Sequence, residues 1–256
     1  MRDRRPGWLG RLSPWLVVAA ILLIWQATTS MGLVDPRNVS QPSAVAALIW
    51  QWTASGFIVQ HVATTLVEVA VGYMVGTLAG MAVAFLFFFK PRLAAICDPL
   101  VVLLNTTPVA ILAPFAVLLF GIGLLSKMML VLLVVFTITL LNLYAGLKEV
   151  DRTLIDNARV MGASTYSLTW HVYIPAALVW IVGAMRISIG QAFTVAIVCE
   201  LLGATRGLGW IVAAGQSSVK PDWIMAGLFF AALIVVVVDL VVLAPLERRG
   251  SHWRVF

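Results

Sequence analysis

A chain of 256 residues that is 62% hydrophobic and 11% charged does not fit a soluble domain, which is roughly half apolar and about a quarter charged. With a mean hydropathy of +1.02 it reads as a polytopic membrane protein with one membrane domain. The formal charge of +6 is then first a statement about membrane topology, not about nucleic acid.

The start, MRDRRPGWLGR, places Arg2, Arg4, Arg5 and Arg11 before an apolar run from Ser13 to Thr29. That run exceeds the ~7–15 residues of a signal-peptide core and no A-x-A site follows, so it reads as a retained first span. A crossing helix needs about 20 apolar residues, and six stretches qualify, roughly 12–30, 62–89, 99–120, 125–147, 176–200 and 224–246. The expected fold is all-α with six transmembrane helices. With the N-terminus inside, Arg2, Arg4, Arg5, Arg11, Lys90, Arg92, Lys148, Arg152, Arg159, Arg248, Arg249 and Arg254 lie on the cytoplasmic side. Arg37, Lys127, Arg206 and Lys220 lie outside and Arg186 falls in the fifth span. Twelve against four favours both termini in the cytoplasm. The expected divisions are a basic tail over 1–11, a membrane domain over 12–246 and a second basic tail over 247–256.

After the first span, Val45, Leu48, Ile49 and Trp52 recur at helical spacing. They predict a short amphipathic helix, lying on the membrane surface or packed on the bundle. In the second span Gly72, Gly76 and Gly80 form a small-xxx-small face for close packing. Polar residues in or at the ends of spans follow: Glu68, Asn105, Thr106, Thr107, Arg186, Gln191, Thr194, Glu200 and Asp239. A charge at the bilayer centre costs ~2.5–3.5 kcal/mol, so such groups face protein or water. Glu68, Asn105, Thr106, Arg186, Gln191 and Glu200 are candidates for a pathway lining or gate; interhelical hydrogen bonding is the alternative, preferred for Thr107 and Thr194. Pro108 frees a carbonyl and bends its helix. Glu68 is a candidate partner for Arg186, whereas Arg186 and Glu200 sit too far apart on one helix to pair.

The segment DNARVMGASTYSLTWHVYIP, Asp156 to Pro175, is polar and lies between spans four and five on the inner side. Leu147, Val150, Leu154, Ala158 and Met161 predict an amphipathic helix. Gly162 ends or bends it, Ser164 caps a second short helix to about Thr169, and Pro175 heads the fifth span. A plain helix connection needs only ~2–8 residues. A docking element explains the extra length; packing on the protein's own inner face is the alternative. The outer loop GATRGLGW, Gly203 to Trp210, reads either as a gate or partner contact or as a tight re-entrant turn.

Cys97 and Cys199 form no CxxC motif, and His61, His171 and His252 lack metal-ligand spacing. No G-x-x-x-x-G-K-[ST], HExxH or GxSxG motif occurs.

The spacing Asp156-Asn157-Ala158, Gly162, then Val172-Tyr173-Ile174-Pro175 resembles the cytoplasmic E-A-A-x3-G-x9-I-x-L-P loop of ATP-binding-cassette importer permeases. NTTPVAILAPFAVLLFGIGLLSK from Asn105 and MRISIGQAFTVAIVCELLGATRGLGW from Met185 are similar to two further stretches of the nitrate/sulfonate/taurine-type permeases. The resemblance implies a type I importer permease fold and a non-catalytic translocation subunit for a small solute, in the inner membrane of a prokaryote. It implies that the chain binds no cofactor itself, with ATP and Mg held by two partner ATPase subunits. An extracytoplasmic substrate-binding protein, a second permease copy and membrane lipid are the other implied partners, and nucleic acid is not one. The loop over 148–175 becomes the coupling element, with Asp156, Asn157, Ala158, Met161, Gly162, Ala163, Ser164 and Tyr166 as the docking residues. A self-contained secondary transporter is the competing reading.

Overall fold

A computed structural model describes residues 8–245. The basic tails carrying Arg2, Arg4, Arg5, Arg248, Arg249 and Arg254, and His252, lie outside the described residues. The described chain is helical: α1 (Trp8–Ser30), α2 (Pro36–Val39), α3 (Pro42–Ala54), α4 (Phe57–Phe89), α5 (Pro91–Thr106) and α6 (Val109–Phe120) come first. Then follow α7 (Leu124–Lys148), α8 (Arg152–Val160), α9 (Thr165–Leu168), α10 (Ile174–Gly203), α11 (Leu208–Ser217) and α12 (Pro221–Val238).

Four uninterrupted helical stretches are long and apolar enough to cross a bilayer: Phe57–Phe89, Leu124–Lys148, Thr165–Gly203 and Pro221–Val241. The described apolar part of α1, Leu16–Ser30, is shorter than a full span. The stretch expected as a third span is broken. Pro91–Thr106 and Ile111–Phe120 meet at 106°. Thr107 is extended at ψ 122, as the residue before a proline prefers, and Pro108 supplies no N–H to carry the helix on.

The glycine stripe of α4 sets the centre of the bundle. A Cβ added at Gly72, Gly76 or Gly80 would come within 2.7, 2.7 and 2.8 Å of the Met128, Leu132 and Phe136 carbonyl oxygens of α7. Only glycine lets the two backbones lie this close. On the next interface the Trp180 ring of α10 lies where a Gly146 side chain would be. Helices α4, α7 and α10 therefore pack as one unit, with α5 and α6 at its flank.

Helix α3 packs on the bundle instead of standing apart on a membrane surface. Val45 and Trp52 are buried, and the Trp52 ring meets Trp223 of α12 edge-on at 5.2 Å. Elsewhere the molecule shows broad aliphatic surface, including Leu23 at 70% and Leu118 at 82% exposure, which suits lipid or another apolar protein face.

Two π-turns widen the long helices without breaking them. One covers Thr169–Tyr173 and the other Asp239–Leu243. In each, the residue before a proline closes an i→i−5 bond: Ile174 N–H to the Thr169 carbonyl and Ala244 N–H to the Asp239 carbonyl. Pro175 and Pro245 come next in the chain. A proline ring clashes with the carbonyl four residues earlier in an α-helix; a widened turn relieves that clash without breaking the helix. The helix expected to begin a fifth span at Pro175 accordingly runs through that residue, continuous from Thr165.

Candidate functional site

At one end of the bundle, α7 gives way to the polar loop. Asp151 accepts the Thr153 N–H at 2.8 Å and starts α8 afresh. This restart splits the stripe expected from Leu147 to Met161. Leu147 is buried within α7, Ile155 and Ala158 pack on the core, and Leu154 and Met161 face outward at 42% and 87% exposure. Gly162 takes φ +86. Its N–H reaches the Arg159 carbonyl, and the Ala163 N–H reaches the Ala158 carbonyl, the paired bonds of a Schellman end. Ser164 Oγ then accepts the Ser167 N–H at 3.2 Å and caps α9.

Of the eight expected docking residues, Asp156, Asn157, Met161, Gly162, Ser164 and Tyr166 are exposed. Ala158 and Ala163 are half-buried and anchor the loop to the core. Val160 adds an apolar side chain at 88% exposure.

The opposite end holds a buried polar network that joins α4, α7, α10 and α11. Glu200 is 1% exposed and uses both carboxylate oxygens. Oε2 accepts the Gly209 N–H at 2.6 Å, and Oε1 accepts the Thr65 hydroxyl at 2.6 Å. Thr65 Oγ1 in turn accepts the Leu208 N–H at 3.0 Å. His61 Nδ1 lies 3.2 Å from both the N–H and the carbonyl oxygen of Gly207, bonding one or the other according to its tautomer. Its ring stacks on Trp210 at 5.1 Å. The N-terminal turn of α11 is thus held by side chains of α4 and α10, which satisfies N–H groups that a helix start leaves open.

Glu68, fully buried, accepts from Lys127 Nζ at 2.7 Å. Its carboxyl is near enough to Glu200 for the two to interact. This corrects two expectations. Glu68 does not partner Arg186, whose guanidinium instead meets Asp239 at 3.3 Å. Lys127 is no outer loop charge; it lies 6% exposed in the first turn of α7. The reason is desolvation: a buried carboxylate needs a cation within direct reach, and the first turn of α7 brings one there.

The network also explains the glycines of GATRGLGW. Gly207 has φ +119, and a Cβ there would strike the Glu200 carboxylate. A Cβ at Gly209 would strike the Ile197 carbonyl. Close approach to Glu200 thus requires both glycines, and the segment is a tied turn. Sequence reading missed His61, Thr65 and Lys127 as members of this site, because their partners lie 146, 135 and 59 positions away.

The remaining candidates are scattered. Asn105 and Thr106 are exposed at the break between α5 and α6, and Gln191 and Arg186 are exposed on α10. Thr107 and Thr194 bond the Leu103 and Gly190 carbonyls of their own helices, not a neighbouring helix.

The sequence profile of the family described as "Binding-protein-dependent transport system inner membrane component" matches residues 72–246. The taurine transport system permease protein TauC of Escherichia coli K12 is 29% identical over 99% of this chain and 95% of its own. The putative aliphatic sulfonates transport permease protein SsuC of Bacillus subtilis 168 is 28% identical over 98% of this chain and 90% of its own. A chain of the inward-facing MetNI methionine ABC transporter shares the fold, with TM-score 0.66 and 21% identity over 77% of this chain and 95% of that one. With its polar loop at one end and its tied turn at the other, the chain belongs to the binding-protein-dependent inner-membrane transport components, among relatives of the taurine and aliphatic-sulfonate type.

Proposed function

We propose that this chain is the translocation subunit of an ATP-driven importer for a small sulfonate or related organic acid, and that α8, Gly162 and α9 form its ATPase-docking lever. The observation that carries the reading is the loop itself. It is built rigidly at both caps, anchored by Ala158 and Ala163, and presents Met161 and Tyr166 at 87% and 73% exposure. Isolated exposed apolar side chains are ordinary; a capped, anchored element that offers them suits a partner's groove.

In this proposal the chain crosses six times, counting α1 and the bent α5–α6 pair, with both termini in the cytoplasm. Hydrolysis of ATP with Mg takes place in separate ATPase subunits. A binding protein delivers solute to the end carrying Trp210, and a second permease copy faces this one in the lipid bilayer. The exposed Asn105, Thr106, Arg186 and Gln191 line the path between copies, while Glu68 and Glu200 lock the outer end from within each subunit. Support for the solute class comes from the similarity to the taurine and sulfonate permeases.

ATP-driven closure of the ATPase pair moves the lever, and α9 passes that motion directly into α10 because no loop separates them. Coupling then requires that the loop interact differently with the two ATPase states.

The test is co-purification from detergent-solubilised membranes, wild type against Gly162→Trp, with ATPase activity assayed in the eluate. A Cβ at Gly162 meets nothing within 4 Å, so the indole clashes with no neighbour, and the left-handed angle adds about 1–2 kcal/mol of strain; a thermal midpoint of the variant checks that it is still folded. Loss of the ATPase, or ATPase activity uncoupled from solute uptake, is the expected result. Failure of both forms to bring down any ATPase would favour a self-contained secondary transporter.

A further inference from the structure

At the end of the bundle that carries α8, a cavity of ≈ 320 Å³ opens between α4, α5 and α7. Its volume is at the lower end of the ~300–1,000 Å³ typical of small-ligand pockets. Phe87, Val101 and Leu140 give it apolar walls, and Asp98, Tyr144 and Lys148 give it polar edges. The Lys148 ammonium sits 3.9 Å from the centre of the Tyr144 ring, a contact that holds the charge in place.

The two charges lining this cavity are unsatisfied by each other. Among the described residues the salt bridges are Glu68–Lys127 and Arg186–Asp239. Asp98 and Lys148 border one space and do not meet across it. A simple anion drawn to Lys148 is opposed by Asp98, and a simple cation drawn to Asp98 is opposed by Lys148. A ligand carrying both charges satisfies both groups.

We propose that this cavity is a zwitterion site, with a ligand ammonium against Asp98 and a phosphate or sulfonate group against Lys148. Two sources share this chemistry: the headgroup of an aminophospholipid, and a free amino sulfonate in transit. The site does not depend on ATP coupling or on the docking role of α8.

The test uses the full-length permease, delipidated in detergent, with thermal midpoint as readout. The probes are dioctanoyl-phosphatidylethanolamine, dioctanoyl-phosphatidylglycerol and taurine. A rise with phosphatidylethanolamine or taurine, absent with phosphatidylglycerol and lost in both Asp98→Asn and Lys148→Gln, is the expected result. Both side chains are exposed, so the ligand-free midpoints of the variants should match wild type. A rise with the lipid alone assigns a headgroup site, and a rise with taurine alone assigns a solute site. If both raise it, competition between them confirms one shared site. No rise with either zwitterion, an equal rise with phosphatidylglycerol, or a rise that persists in both variants overturns the proposal.

Discussion

Glu200 Oε2 accepts the Gly209 N–H at 2.6 Å, across a turn of nine residues. The one carboxylate of α10 therefore holds the first turn of α11, and Thr65 completes the hold from α4. Removing an acceptor from such a site leaves buried donors unsatisfied, at about 1–3 kcal/mol for each group. Glu200→Ala should lower the thermal midpoint of the detergent-solubilised permease more than Glu200→Gln, which keeps one oxygen acceptor. Equal midpoints for wild type and Glu200→Ala would show that the turn is held by packing alone.

The Glu68–Lys127 pair allows a sharper test. Breaking a buried pair from one side costs about 3–5 kcal/mol, while replacing both members by apolar groups of similar volume is often neutral. Lys127→Met should strongly destabilise the permease. The double variant Glu68→Leu with Lys127→Met should recover most of that loss. Additive effects in the cycle would mean that the two charges act independently.

These pairs mark the boundary of what the sequence discloses. Local chemistry was legible: the cap at Ser164, the bend at Gly162 and the Gly72-Gly76-Gly80 stripe follow from residue type and helical spacing. The partner of that stripe, the carbonyls of α7, did not. Nor did the ion pairs, because Glu68 has several distant cations to choose from and only the packing of α4 on α7 selects Lys127. The third span failed differently. Pro108 announced a bend, but hydropathy is blind to direction, and a turn of 106° leaves the apolar count unchanged. At Pro175 the usual proline signal misled, since a π-turn absorbs the missing N–H inside one continuous helix. In the loop stripe, Asp151 restarts the helix one turn after Leu147 and resets the register inside the expected pattern.

Three glycines with different surroundings should separate conformational strain from close approach. At Gly162 the left-handed angle is the only obstacle to alanine, costing about 1–2 kcal/mol. At Gly76 the angle is ordinary, but the Leu132 carbonyl lies 2.7 Å from a new Cβ, and overpacking costs about 1–3 kcal/mol. Gly207 combines φ +119 with a clash against Glu200. The expected order of thermal destabilisation on substitution by alanine places Gly207 above the other two. A Gly207→Ala variant as stable as Gly162→Ala would mean that the Glu200 carboxylate moves aside at little cost.

The π-turn at Thr169–Tyr173 decides how the lever meets α10, and two causes compete for it. One is Pro175, which has no N–H to offer and cannot tolerate an α-helical carbonyl beneath its ring. The other is Tyr173, buried at 7% exposure with its ring edge-on to Phe88 at 4.8 Å, a contact that pins the backbone. If proline is the cause, Pro175→Ala restores an i→i−4 bond and removes the extra residue from the turn. Helix α9 then rotates by about 100° relative to α10, one residue's worth of α-helix, and carries Tyr166 off the docking face. A spin label at Tyr166 measured against one on α10 should report the shift, and ATPase-coupled uptake should fall. If the distance holds in Pro175→Ala and changes in Tyr173→Leu, the aromatic contact sets the register. The proline would then follow the widened turn and not create it. The same comparison can be made at Asp239–Leu243, where the residue opening the turn also binds Arg186. There a loss of the turn would move one end of an ion pair, so the pair's contribution to stability should change with it.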